Sequence, residues 1–263
     1  TAYEIRNCDW SSDVCSSDLF LLAAFSCFAA DPVAQPPSPQ NSLRDRNDFV
    51  RWMTELSNWG RWGKEDQLGA LNLVTPEKRK QALALGREGI SVSLARDVEK
   101  EKAVDNGSPF QHWMDRAGTN NPGYSCADTF KVSYHGMAHT HIDSLCHMFH
   151  QGRMYNGYSQ TMVTSEGAAR LGVHNLKGGI VSRGVLIDMP HLKGVDFLEP
   201  GAPIYPEDLN AWEQKTGLKV TAGDVVFIRT GRWLRRARLG AWSGKYAGLH
   251  RSEEHTSELQ SQF

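Results

Sequence analysis

Residues 134–147 (YHGMAHTHIDSLCH) place four histidines and one aspartate within fourteen positions. His139, His141 and Asp143 alternate, so in an extended strand their side chains would leave the same face. His147 follows four residues after Asp143 and can return to that face from a turn. Imidazole and carboxylate together suit Zn²⁺, Mn²⁺ or Fe²⁺. The pattern therefore predicts a metal site with His139, His141 and Asp143 as ligands; a histidine-rich surface strand is the alternative.

The sequence on both sides of this segment has the pattern of helices that alternate with strands, which predicts an α/β fold. Thr75-Pro76-Glu77 has the composition of a helix start, and that helix is expected to run to about Leu85, with Gly86 as its stop. The remaining expectations are a helix over 45–59, a helix over 206–216 ending at Gly217, strands over 90–94, 129–134, 179–189 and 224–229, and a loop-rich segment over 231–247.

Two further groups of residues have both a structural and a functional interpretation. Residues 59–63 (WGRWG) and 66–72 (DQLGALN) are dense in Gly and Trp. Tight turns packed by indole rings are the favoured interpretation, and an aromatic wall against a substrate is the alternative. His112 lies between aromatic neighbours and is predicted to border the substrate pocket, although such a histidine is more often a packed structural residue.

The two ends of the chain do not read as native protein. Residues 251–261 are one reading frame of a common sequencing-library adapter, and residues 9–19 are one frame of its reverse complement. Opposite strands of one oligonucleotide at the two ends are hard to explain biologically, so residues 1–19 and 251–263 are excluded from the fold prediction. A genuine disordered tail at each end is the alternative.

The segment that follows the first excluded end resembles a secretory leader. Residues 20–30 (FLLAAFSCFAA) form an apolar run that ends in small residues and is too short to span a bilayer. We interpret it as the remnant of a signal peptide, with a fragment of buried helix as the alternative, and residues 31–44 as a flexible lead. This predicts a secreted or periplasmic protein without a stable membrane span.

Charge, cysteine content and motifs argue against several classes of protein. The whole chain has a net charge of −1, and excluding the two ends moves it to about +4, which is mild and gives no case for nucleic-acid binding. Within residues 45–250 the cysteines are Cys126 and Cys146, which cannot define a disulfide framework. The chain has no G-x-S-x-G nucleophile elbow.

The histidine-rich segment resembles the cyclase family of metal-dependent hydrolases, which includes bacterial kynurenine formamidases and isatin hydrolases. The family motif has the form H-x-G-T-H-x-D-x-P-x-H. His141, Asp143 and His147 match its second histidine, its aspartate and its last histidine. The likeness extends to DQLGALNLVTPEKR from residue 66, RGVLIDM at 183–189 and GDVVFIRTGRW at 223–233.

The chain also departs from the motif. Met137 occupies the place of the first histidine and His139 that of the glycine, so a ligand is expected to have moved from 137 to 139, with His135 as a further candidate. The motif proline is missing. The family draws another histidine and an acidic ligand from near its C-terminus, and none is evident before residue 251. The resemblance thus implies one swivelling β/β/α-type domain over 45–250 that is incomplete at its C-terminus.

The resemblance implies a hydrolase of a small amide, formamide, lactam or lactone that uses a divalent metal, Zn or Mn first, and a metal-bound water as nucleophile. His147 would act as general base and then acid, with a further ligand role as the alternative. The expected partner is a small molecule, and a homo-oligomer is left open. Two other functions are weighed: an Fe(II) oxygenase that recruits His191, and a secreted metal-binding protein without catalysis.

Overall fold

A computed structural model of the protein describes residue 51, residues 53–119, residue 123 and residues 125–250. The predictions for 1–44 and 251–263, namely the non-native ends, the signal remnant and the flexible lead, lie outside the described residues. Most of the helix expected over 45–59 also lies outside them, and its described part is helical at 51 and 53–55. Helices and short strands alternate in the described part, consistent with the predicted α/β class. The swivelling arrangement and the incomplete C-terminus stay predictions.

Two of the helices begin and end close to where their local sequence predicts. The Thr75 hydroxyl accepts a hydrogen bond from the Lys78 N–H at 3.2 Å and caps the first helix. Gly217 follows the third helix with a positive φ. The named helices are α1 (Pro76–Leu83), α2 (Met189–Lys193), α3 (Pro206–Thr216) and α4 (Arg232–Leu239).

The strands pair into two-stranded sheets, with no larger sheet among the described residues. β1 (Gln111–Arg116) and β2 (Ala127–Lys131) form an antiparallel hairpin. The two-residue strands β3 (Val163–Thr164) and β4 (Gly167–Ala168) are also paired antiparallel. The parallel pairs are β5 (Gly184–Asp188) with β7 (Val225–Arg229), and β6 (Pro203–Ile204) with β8 (Gly248–Leu249).

Several strand predictions need correction. Residues 90–94 alternate in polarity but form no strand, and Ile90 is 75% exposed. The strand expected to reach 134 ends at Lys131. The strand expected over 179–189 is shorter and ends at Asp188, because Pro190 lies in the first turn of α2 and the Asp188 side chain caps that helix. Only one face of β5 is buried, since Leu186 remains exposed.

Helix α4 occupies part of the segment expected to be loop-rich. Half of its eight residues, RWLRRARL, are arginines, and ion pairs with distant residues support the helix. Arg232 and Arg236 both bond the buried Asp105 carboxylate, at 3.0 and 2.9 Å. Gly231 precedes the helix with φ 76°, and a Cβ there would come within 2.8 Å of the Asp196 carbonyl oxygen. These contacts are invisible to local sequence patterns.

The larger core lies between the β5–β7 pair and helices α2 and α3. It is closed at one end by a buried carboxylate, Asp224, whose side chain is fully buried. Arg183 Nε and Lys78 Nζ bond it at 2.9 and 2.5 Å, and the Thr221 N–H donates to it at 2.7 Å. The buried apolar residues of this core are Val185, Ile187, Met189, Leu198, Ile204, Leu209 and Trp212.

A smaller core is formed by Met154, Leu171 and Cys146, the last of which belongs to the histidine-rich segment. Within the part of the chain that the structure describes, no helix is both long and apolar enough to cross a membrane.

Candidate metal centre

The histidine loop, residues 134–144, connects β2 to a 3-10 turn at Leu145–His147. It is not the extended strand that the alternating pattern predicts. Gly136 has φ 114°, a conformation that residues with a Cβ rarely adopt, and the chain bends over residues 136–139. The side chains of this loop therefore do not share one strand face.

Three side chains of this region come together as a donor group: His135, Asp143 and His147. One ligand atom from each lies within 4.8 Å of the other two. His135 Nδ1 is 2.9 Å from Asp143 Oδ1, and the rings of His135 and His147 have centroids 4.6 Å apart. All three side chains are solvent-exposed, so a cation and a small molecule have access to them.

His141 points a ring nitrogen toward the same carboxylate. Its Nδ1 is 2.8 Å from the carbonyl oxygen of His139. Because a carbonyl can only accept, Nδ1 is the protonated nitrogen and Nε2 carries the free lone pair. Nε2 lies 3.7 Å from Asp143 Oδ2. His141 is therefore oriented to present an acceptor nitrogen beside Asp143.

The same arrangement fixes the ring of His147. Its Nδ1 is 3.1 Å from the carbonyl oxygen of Ser144 and 3.0 Å from the hydroxyl of that residue. The carbonyl can only accept, so this contact favours a proton on Nδ1 and leaves Nε2 as a base or a ligand atom. The Cys146 thiol lies 3.8 Å from the same nitrogen and 3.0 Å from the Ser144 hydroxyl.

His139 has a different environment from the other predicted ligands. It is buried, and both of its ring nitrogens lack a hydrogen-bond partner among the described residues. It does not belong to the donor group. A buried imidazole without partners is costly. The assignment of His139 as a metal ligand stays a prediction.

Two other histidines singled out from the sequence lie outside the donor group. His112 lies on the exposed hairpin, where its Nε2 is 2.8 Å from Asp128 Oδ2 on the neighbouring strand. His191, the extra ligand of the oxygenase alternative, lies on α2. The assignment of His112 to a substrate pocket stays a prediction.

Comparison with known proteins places the chain in a family. Residues 61–259 match the family model described as "Putative cyclase", which is more than half of the 263 residues. The chain belongs to the cyclase family. The resemblance drawn from the histidine-rich motif is thereby confirmed.

One solved structure similar to this cyclase-family chain is a crystal structure of a novel cyclase. The two are 32% identical with a TM-score of 0.62, and the match covers 67% of this chain and 62% of the other. This chain therefore spans somewhat less than two thirds of the length of that cyclase. No match was found among curated protein sequences.

The residues of this cyclase-family loop suit a divalent cation. Metal-binding histidines usually donate their second ring N–H to a backbone carbonyl or carboxylate, which fixes the ring orientation. His141 and His147 both do so, and Asp143 adds a negative charge between histidines. The mixed nitrogen and oxygen donors match the preferences of Zn²⁺ and Mn²⁺.

Asp66 supports the turn over residues 66–72 through its side chain. The sequence alone identified only that this region is rich in Gly and Trp. Burial acts to raise the pKa of Asp66, but hydrogen bonds from Asn72, Gly69, Tyr155 and Leu68 outweigh it and leave the pKa below its ordinary value. Burial and the hydrogen bond to Asp66 raise the pKa of the Tyr155 phenol. The structure supports the interpretation of 66–72 as a packed turn.

Leu171 connects this turn to the candidate site. Its N–H donates to Gln67 Oε1 at 2.8 Å, and its carbonyl accepts from the Cys146 N–H at 3.3 Å. Leu171 is buried with φ 62°, a backbone conformation that costs energy for a branched residue. Ser144, Gln67 and Leu171 were not singled out from the sequence, because none has a residue type that signals chemistry.

Proposed function

We propose that this cyclase-family protein is a metal-dependent hydrolase of a small amide, formamide, lactam or lactone. The donor group of His135, Asp143 and His147 is the observation that carries the proposal. It lies on the segment that resembles the family motif, within a chain that belongs to the family.

We propose that His135, His141 and Asp143 hold the cation, with His139 as the second candidate for the position of His135. His135 Nδ1 lies 2.9 Å from Asp143 Oδ1 and His141 Nε2 lies 3.7 Å from Asp143 Oδ2, which puts Asp143 at the centre of this set. When bound there, a divalent cation, zinc or manganese first, would polarise a carbonyl group and lower the pKa of a water molecule.

His147 is proposed to move the proton. Because its Nδ1 is bonded to the Ser144 carbonyl, Nε2 is the nitrogen that takes a proton from water. The resulting imidazolium then returns that proton to the leaving nitrogen or oxygen. The Ser144 carbonyl keeps the ring in one tautomer through both transfers.

The proposal is tested by stripping the purified protein with a chelator and reloading it with Zn²⁺ or Mn²⁺. Formanilides, small lactams and lactones are then offered as substrates with each cation. We expect calorimetric binding of the cation and hydrolysis that depends on it. Asp143→Asn keeps the shape of the side chain but removes its charge, so it should abolish both, while His191→Ala, outside the donor group, should retain both.

Two results would contradict the proposal. The first is hydrolysis of the same rate with and without cation. The second is cation binding without turnover of any substrate class, which would favour the metal-binding protein without catalysis.

A further inference from the structure

Among the described residues, the histidine loop has one hydrogen bond to a distant part of the chain. The backbone N–H of Arg96 donates to the Thr140 hydroxyl at 3.1 Å. The other hydrogen bonds and ion pairs of residues 134–144 join them to each other or to the turn that follows. Thr140 lies between His139 and His141, so this bond acts at the centre of the proposed ligand segment.

The side chain of Arg96 is itself held by Trp233 and Glu99. Its guanidinium carbon lies 3.9 Å from the ring centroid of Trp233 in α4. Its Nη2 bonds Glu99 at 3.2 Å, and Glu99 in turn pairs with Arg236 of α4 at 3.4 Å. The Arg96 side chain is therefore held against a helix that begins 136 residues further along the chain (232 − 96 = 136).

We infer that Thr140 is a positioning residue for the metal site, and that it transmits the fixed position of Arg96 and α4 to the histidine loop. The inference rests on the proposed function, because the site that Thr140 positions is the proposed ligand set. An acceptor is required at this position, since the Arg96 N–H can only donate, and here the Thr140 hydroxyl supplies it.

The first test needs no metal. Thr140→Val keeps the branched shape but has no acceptor, while Thr140→Ser keeps the hydroxyl. The exchange rate of the Arg96 amide hydrogen, measured by NMR in the metal-free protein, should rise at least about tenfold in Thr140→Val and stay near the wild-type rate in Thr140→Ser. Equal exchange rates in all three proteins would overturn the inference.

The second test measures the consequence for the site. The cation affinity of Thr140→Val should fall about tenfold, the lower end of the effect of outer contacts on metal sites, with rescue by Thr140→Ser. Unfolding of the two metal-free variants should be alike. A loss of affinity that serine does not rescue would overturn the inference. If the wild-type protein binds no cation, the proposed function fails, and the amide exchange still decides the role of Thr140.

Discussion

At the scale of single residues, His147 has two candidate roles, general base and metal ligand, and a substitution can separate them. We expect His147→Ala to reduce kcat about 10²- to 10⁴-fold, as for loss of a general base, with cation affinity within a few-fold of wild type. Single-turnover hydrolysis and calorimetry measure the two effects. Ser144→Ala is the matched control, because it removes the hydroxyl but keeps the carbonyl bonded to His147 Nδ1.

The outcome also decides between the two interpretations of His147. A parallel loss of affinity and turnover would make His147 a metal ligand. Full retention of both would exclude it from either role.

His135 and His139 compete for one ligand position, and their environments predict opposite effects. His135→Ala should weaken cation binding at least tenfold, because His135 belongs to the proposed ligand set and its Nδ1 lies 2.9 Å from Asp143 Oδ1. His139→Leu should leave affinity within about twofold and raise the free energy of unfolding of the metal-free protein by about 1 kcal/mol, because it removes a buried imidazole without partners.

Calorimetry and denaturant titration of the two variants check this expectation. If instead His139→Leu abolished binding and His135→Ala did not, the ligand assignment made from strand alternation would be supported.

At the scale of elements, Asn156 fastens two loops through a strained backbone. It has φ 59°, donates to the carbonyls of Gly63 and Asp66 at 2.9 and 3.2 Å, and accepts from the Gly60 N–H at 2.7 Å. Asn156→Ala loses the hydrogen bonds and strains the left-handed conformation. Asn156→Gly loses the same bonds without strain.

We therefore expect Asn156→Ala to be less stable than Asn156→Gly by about 1 kcal/mol, and both to be less stable than wild type. Denaturant unfolding followed by tryptophan fluorescence measures the difference. Equal stability of the two variants would mean that the backbone relaxes at this position.

The success of prediction also differs between elements. Helices α1 and α3 were predicted closely because their signals are local: Thr75 caps α1, a proline opens each helix, and Gly217 follows α3. Helix α1 ends at Leu83, two residues before the predicted Leu85, with Ala84 rather than Gly86 at its C-terminal cap. Helix α4 was missed because its stabilising partner, Asp105, is about 130 residues away, as the numbering shows. The bend at Gly136 was missed because alternation in a short segment cannot distinguish a strand from a turn.

At the scale of the whole molecule, Asp224 links α1, β5 and β7 through buried charge. Burial acts to raise its pKa, but hydrogen bonds from Arg183, Lys78 and Thr221 outweigh it and hold the pKa well below the ordinary value of 3.8. Ionised Asp224 therefore stabilises the folded protein fully above pH 3.8, and this stabilisation is lost as the pH falls through the lower pKa that Asp224 has in the folded protein.

Asp224→Asn should lower the free energy of unfolding by about 3 kcal/mol at pH 7, because it leaves two cations without their buried partner. The difference from wild type should shrink below pH 3.8. Urea titrations across that range measure it. Arg238→Gln, which removes an exposed ion pair with Asp196, is the control and should cost less than about 0.5 kcal/mol. A constant difference at all pH values would exclude ionisation as the cause.

For the molecule as a whole, the sequence predicted the family, the fold class and the segment that carries the candidate site. It did not predict which histidines meet, because His135 reaches Asp143 only through the bend after it. Nor did it predict the supports of the site, since the hydrogen bonds of Gln67 and Thr140 go to backbone N–H groups of residues distant in the chain, which a local sequence pattern does not reveal.

The dependence of Arg96 on Trp233 has a consequence for the order in which a ribosome produces the chain. The histidine loop is synthesised before α4, and the residues that Lys78, Asp105 and Arg96 require, at positions 224–236, emerge later. Because a growing chain folds from its N-terminal part first, Arg96 lacks its contact with Trp233 until α4 has been translated. We expect a polypeptide arrested at residue 220 to contain every proposed ligand and the Arg96–Thr140 pair, but to hold that pair less firmly than the complete chain does.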